Sequence, residues 1–329
     1  MRAAFWLGIV AVAVACAGCK PAAARDRAAP LRIGYFANLT HAQAVLGVAS
    51  GELERALGPA KLETRVFNAG PSVIEALFAG EIDIGYVGAG PVISAHRRSR
   101  GQGLRVVAAG AANGVVVVAR SGSGIRGFTD LVGKRIATPQ LGNTQDISAR
   151  HYLTHVLGQR DAKNVVPIEN SQQAAMLARG DIDAAWVPEP WGQRLIAETG
   201  ATLVGEEREL WPSREFELTL VVTTPEFLAR RPDAVESALA VHAAWTRRLT
   251  LAPHEHTAAL ADALFALTGT RLPQGVLDVA ITRVTFTNEP RGDSLRTFGE
   301  WTHDLGFARA PVSVAGLVDT AILRKAVAR

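Results

Sequence analysis

Ala76-Leu-Phe-Ala-Gly-Glu-Ile-Asp-Ile-Gly-Tyr-Val87 returns further along the chain as Met176-Leu-Ala-Arg-Gly-Asp-Ile-Asp-Ala-Ala-Trp-Val187. Leu, Gly, an acid, Ile, Asp, an aromatic residue and Val recur in one order, about 100 residues apart. A helix-like segment precedes each copy, Ser72 to Ala79 and Gln172 to Arg179. Gly80 and Gly180 stand where a helix closes in the left-handed conformation that glycine adopts at little cost. A short strand follows each, Ile82 to Val87 and Ile182 to Val187.

The flanks repeat as well. Leu31 to Phe36 and Lys134 to Thr138 read as strands. A helix opens after each, at Thr40 and Thr144, running to about Leu57 and Leu157. Further strands fall at Glu63 to Phe67 and Asn164 to Ile168. Each half is thus strand, helix, strand, helix, strand, the order of a parallel sheet covered by helices on both faces. The fold class is α/β, with two Rossmann-like lobes. Apolar runs at Leu104 to Gly110, Gly114 to Ala119, Thr202 to Gly205 and Glu217 to Thr223 mark where the chain crosses between them. From Pro225 the spacing is helical, so the tail has no sheet of its own and is expected to pack back on the first lobe. The division is 1–30 for export and tether, 31–113 for lobe 1, 114–224 for lobe 2 and 225–329 for the C-terminal helices.

The N-terminus reads as an export signal: Arg2, an uncharged apolar run from Phe5 to Ala17, then small residues. The run is too short to span a membrane. Two cleavages fit. One falls before Cys19 and leaves it lipidated, with Lys20-Pro21-Ala22-Ala23-Ala24 as a tether; the other follows Ala15-Cys16-Ala17. Both of the chain's 2 cysteines lie in this segment, which leaves no thiol beyond it for disulfides, metal sites or nucleophilic catalysis. A net charge of +4 without a long basic block argues against nucleic acid as a partner.

In open α/β sheets ligands sit beyond the carboxyl ends of the strands, where helix N-termini present unpaired N–H groups. Those positions hold Asn38, Thr40 and His41, then Ser72, then Gly90 in the first half, and Asn143 and Thr144 in the second. Each is also an ordinary cap residue; the functional reading rests on their convergence on one cleft. With no arginine cluster and no catalytic pair among them, they suit a small anion held by neutral dipoles. Trp186 and Trp191 serve as core, rim or ligand contacts, and Glu189 orients a polar group, meets a ligand ammonium or faces solvent.

Five stretches carry a resemblance. Gly34 to Ala44, Gly70-Pro-Ser72, Ala79 to Gly88, Asp130 to Arg135 and Trp186-Val-Pro-Glu-Pro-Trp191 resemble the aliphatic sulfonate, taurine and nitrate group of ABC solute-binding proteins, which have an NMT1-like domain. The resemblance extends through Gly269 to Phe286. It implies a type II periplasmic binding protein fold with a hinged cleft. It also implies a small-molecule anion as ligand, an ABC permease and its ATPase as partners, a monomer, and a location in the periplasm or on the outer face of the cell membrane with the lipid anchor as the only membrane contact. In that family the oxyanion sits on helix starts, which carries over to Thr40, Ser72, Gly90 and Thr144. Gly142-Asn143-Thr144 departs from the Gly-Ser-Thr of many relatives, so the ligand is free to differ.

No cofactor, metal site or catalytic residue is expected. Gly122-Ser-Gly-Ile-Arg-Gly127 matches a dinucleotide fingerprint but lacks the long helix that must follow. His254 and His256 are two apart and do not share a helix face. The competing functions are an enzyme of the same fold, in pyrimidine-precursor or menaquinone-pathway chemistry, and a binding module that reports to a sensor.

Overall fold

The computed structural model describes residues 29–328, so the export segment and Cys19 lie outside the described residues. Strands run in chain order as β1 (Leu31–Tyr35), β2 (Leu62–Val66), β3 (Ile84–Gly88), β4 (Arg105–Asn113), β5 (Val115–Ala119), β6 (Ile136–Thr138), β7 (Val165–Pro167), β8 (Ala184–Pro188), β9 (Thr202–Glu206), β10 (Glu217–Thr223) and β11 (Val284–Phe286). They form a six-stranded sheet, β11-β4-β10-β3-β1-β2, and a five-stranded sheet, β7-β6-β8-β5-β9.

The repeat is written into the strand pairing. β1 lies parallel between β2 and β3, and β6 lies parallel between β7 and β8. Ile84 faces Ile33 in the first sheet, and Ala184 faces Ile136 in the second. The shared aspartates do the same work in both. Asp83 accepts the Arg32 N–H at 2.9 Å, and Asp183 accepts the Arg135 N–H at 3.0 Å. The side chain of each of these arginines also donates to the carbonyl of the helix-closing glycine, Gly80 or Gly180. Gly80 (φ 69°) and Gly180 (φ 76°) are in the left-handed conformation expected of them. Gly-x-Ile-Asp is therefore a clamp tying a helix end to the neighbouring strand.

Each sheet adds an antiparallel strand beside its parallel trio, and in the first sheet that strand is β10, which follows the second unit in the chain. β5 pairs antiparallel with β8, and β10 pairs antiparallel with β3. The β-branched run of β5 is buried on both faces, as a central strand requires. This corrects the division at 224: Glu217–Thr223 belongs to the first sheet, because its antiparallel pairing to β3 and β4 brings the chain back before the tail begins.

Two further expectations change. The helix from Thr40 breaks at Gly51 (φ 70°) into Ala42–Ala49 and Glu52–Leu57, preceded by a 3-10 turn Leu39–His41. The tail is not purely helical and does not rest on the first unit alone. β11 extends the first sheet beside β4. Helix Gly292–Asp304 packs on both Ala89–Arg98 and Thr144–His151, and helix Val276–Ala280 packs on Trp191–Thr199. The reason is area: an apolar face wide enough to touch two helices buries more surface bridging both units than lying on one. Trp301 stacks on His151 at 4.3 Å as part of that bridge. Inside, one buried cluster runs without a break from Val73 and Ile93 of the first unit to Ile136, Ile147 and Trp186 of the second. The Gly122 to Gly127 segment is a turn leading to the 3-10 turn Phe128–Leu131.

Candidate functional site

The carboxyl ends of β1, β2, β3, β6 and β7 all point toward the gap between the sheets, and their following helices begin there. Asn38 opens the 3-10 turn, its Oδ1 accepting the Thr40 N–H at 3.2 Å. Asn143 caps helix Thr144–His151, its Oδ1 accepting the Asp146 N–H at 2.8 Å. Both asparagines serve as N-caps. These turns meet around a cavity of about 40 Å³. It is lined from the first unit by Phe36, Asn38, Thr40, His41 and the start of helix Gly70–Phe78, and from the second by Asn143, Thr144, Gln145 and Asn170. None of its lining residues is Lys, Arg, Asp or Glu.

Hydrogen bonds inside the wall decide what the cavity presents. The carbonyl of Asn38 is used by Thr40, which leaves its amide N–H₂ uncommitted. The carbonyl of Gln145 accepts the Asn143 amide at 3.0 Å, which likewise leaves the Gln145 N–H₂. His41 Nδ1 accepts the Phe36 N–H at 3.3 Å. The ring is 2% exposed, and burial pushes its pKa down to about 3, so it is neutral. A neutral imidazole that accepts at Nδ1 carries its proton on Nε2 and is a donor there. The wall therefore offers N–H donors at Asn38, His41 and Gln145 beside the hydroxyls of Thr40 and Thr219, with no Lys or Arg among its lining residues. That polarity matches a group made of acceptor oxygens. At roughly 10–15 Å³ for each water-sized group, the volume admits about three such atoms.

The two units also touch across the gap. Thr144 Oγ1 accepts the Gly90 N–H at 3.2 Å. A Cβ at Gly88 would lie 2.3 Å from Thr144 Oγ1, and one at Gly90 would lie 2.8 Å from Ile147 Cδ1. Only glycine lets the second unit come this close.

Of the residues singled out from sequence, Asn38, Thr40, His41, Asn143 and Thr144 come together on the cavity. Gly90 is beside it but commits its N–H to Thr144. Ser72 is half-buried as the third residue of helix Gly70–Phe78 and is not among the lining residues. Trp191 lines an outer hollow with Arg194 and Leu267. Glu189 is the clear correction. It is fully buried, Oε1 accepting Arg283 at 2.5 Å and Oε2 accepting the Gln193 N–H at 3.0 Å. Both oxygens are spent on the protein, since a buried carboxylate needs a counter-charge and donors. Sequence reading missed Arg283, Asn68, Asn170 and Thr219. Asn68 lies just before helix Gly70–Phe78 and Asn170 opens helix Asn170–Arg179, so their place at helix starts was the available signal; Thr219 and Arg283 come from distant chain and gave no local signal.

With the geometry in hand, the comparisons are consistent. A model of the NMT1-like family matches residues 24–265. A Brucella abortus protein named as a binding protein is 27% identical over 214 residues, 64% of each chain, so the match spans just under two thirds of that relative's length. The taurine-binding periplasmic protein of Escherichia coli K12 is 28% identical over 183 residues, 54% of each chain. Among solved structures, the alkanesulfonate-binding protein SsuA of Xanthomonas axonopodis pv. citri, bound to MOPS, superposes with a TM-score of 0.69 at 23% identity, covering 91% of this chain and 97% of that one. The chain belongs to the NMT1-like family, and its two sheets share the α/β architecture of the periplasmic binding proteins.

Proposed function

We propose that this chain is the solute-binding component of an ABC importer and that it holds a small oxyanion, a sulfonate in first place, between its two units. The observation that carries this is the cavity wall: N–H donors from both units, helix starts around it, and no formal charge. Neutral dipoles hold an anion without a buried cation because several partial charges converge on it. The relatives reported above are named as binding proteins.

The finer points follow from this reading. Asn38, Thr40, His41 and Thr144 contact the oxyanion, with Gln145 added and Glu189 withdrawn. The protein works outside the cytoplasm, delivers its ligand to a permease driven by an ATPase, and is tethered through Cys19. Closure draws the units together on the ligand through the Gly90–Thr144 contact, which exists only when they meet.

A thermal-shift screen of the full chain against methanesulfonate, taurine, nitrate and benzoate tests it. A ligand at 100 times its Kd adds about 2.7 kcal/mol, so a sulfonate is expected to raise the midpoint. No shift with any anion, or a shift only with a cation, rejects the reading.

A further inference from the structure

β1, β3 and β4 run the same way, since β1 is parallel to β3 and β10 lies antiparallel to both β3 and β4. Their amino ends share one end of the first sheet, opposite the end that meets the cavity. The chain enters the unit here. The Leu31 N–H donates to the Lys61 carbonyl at 2.9 Å, and the Ala29 carbonyl accepts from Arg231 at 3.2 Å. Helix Ala89–Arg98 starts at the cavity and ends at this same end, and a turn leads from it into β4 at Arg105. Arg97, Arg98 and Arg100 are exposed there, and Arg105 is half-buried. None of the four pairs with a carboxylate among the described residues; Arg105 donates to the carbonyls of Gly101 and Leu104. Asp83, Glu81 and Glu226 are already paired, with Arg32, Arg65 and Arg230. Phe78 is 43% exposed beside the arginines. A Cβ at Gly103 would lie 3.1 Å from its ring. β4 stands three strand positions from β1, about 14 Å away. A helix C-terminus accounts for Arg97 and Arg98 alone; it accounts neither for Arg100 beyond it nor for the exposed ring.

Resting on the reading that Cys19 tethers the chain, we propose that this end of the first unit docks on an anionic lipid surface, with the cavity turned toward solvent. Unpaired arginines meet the lipid phosphates, and an aromatic ring beside them suits the headgroup layer. The linking residues 20–30 reach at most about 40 Å when extended. That length keeps the face within reach of the anchoring membrane and lets the body turn over to present its cavity.

Co-sedimentation of the full, unlipidated chain with phosphatidylglycerol and phosphatidylcholine vesicles tests this, and comparison among variants cancels whatever the export segment contributes. Each arginine should add about fivefold to the preference for phosphatidylglycerol, from ~1 kcal/mol per basic residue at an anionic surface. The combined variant Arg97→Gln, Arg98→Gln, Arg100→Asn should lose most of that preference and keep its thermal midpoint. Asn is chosen because Arg100 has a φ of 53°, which Asn tolerates. Salt at about 1 M, with a screening length of about 3 Å, should abolish the preference. Arg126→Gln, Arg160→Gln, Lys163→Gln removes as much charge from exposed positions of the second unit and should change nothing. Equal losses from the two variants, or no preference in the parent chain, overturn the docking face. Mass spectrometry of the exported chain showing no lipid on Cys19 overturns the tether alone, and the vesicle result still decides the face.

Discussion

Gly88-Ala-Gly-Pro91 and Pro188-Glu-Pro-Trp191 occupy equivalent places, each following the third strand of its unit, 100 residues apart. They do opposite things. In the first unit, glycines keep the helix start bare, and the N–H of Gly90 reaches across to Thr144. In the second, prolines remove N–H groups and Glu189 closes over what is left, accepting the Gln193 N–H and pairing with Arg283. One helix start faces the other unit; its counterpart is stoppered from within and bolted to the tail. The difference teaches that a repeated backbone does not imply a repeated role. One helix start has an N–H satisfied from across the gap by Thr144, and the other has one satisfied from within by Glu189.

The hardest way to break the contrast is to unseat the stopper. Arg283→Ala leaves Glu189 buried with no counter-charge, and Glu189→Ala leaves Arg283, whose side chain is 12% exposed, without its partner. Breaking a buried pair from one side costs about 3–5 kcal/mol. Each variant should therefore lose that much in chemical denaturation, while the double variant loses less than the sum. Additive losses would mean that the pair is not coupled.

Glu207 sharpens the comparison, as a buried carboxylate whose partners among the described residues are all neutral donors. It accepts from Ser148 at 2.6 Å, Trp186 at 2.6 Å and Trp211 at 3.3 Å. Burial raises its pKa to about 7 against the hydrogen bonds that lower it. A carboxyl whose folded pKa lies above its unfolded value binds its proton more tightly in the native state. Its contribution is present below about pH 4.5 and lost as pH rises toward 7. Glu207→Gln should remove up to about 1.4 kcal/mol per pH unit of that downward slope, read from denaturation midpoints between pH 4.5 and 7. An unchanged slope would reject the assignment.

The open helix start gives the smallest effect. Gly90→Ala puts a Cβ 2.8 Å from Ile147 Cδ1 and 3.2 Å from the backbone of Asn143. Overpacking of this kind costs about 1–3 kcal/mol, here against closure. Methanesulfonate affinity should fall between about fivefold and a hundredfold, and small-angle scattering should show a larger radius of gyration with ligand present. Unaltered affinity and radius would show that the units need not meet at Gly90.

Much of this was legible in the chain. The Gly-x-Ile-Asp repeat and the cap residues are local signals, because left-handed glycines, N-caps and strand periodicity are set by a few neighbouring residues. Asn38, Thr40, His41, Asn143 and Thr144 were found that way. Glu189 was not placed, since its partner Arg283 is 94 positions away. The donor character of the wall was hidden too: each amide and the imidazole look symmetric in sequence. Only the bonds from Phe36, Thr40 and Asn143 fix which end faces inward.

By itself, then, the sequence determined two α/β units, their strand and helix starts, and the polar residues gathered at those starts, because short-range backbone chemistry specifies all of these. Tertiary structure alone decided that β10 returns to the first sheet, that the tail bridges both units, and that one helix start is stoppered while its twin stays open. Those outcomes depend on burial and charge pairing between residues far apart in the chain, and local sequence carries no record of which distant partner a buried group will meet.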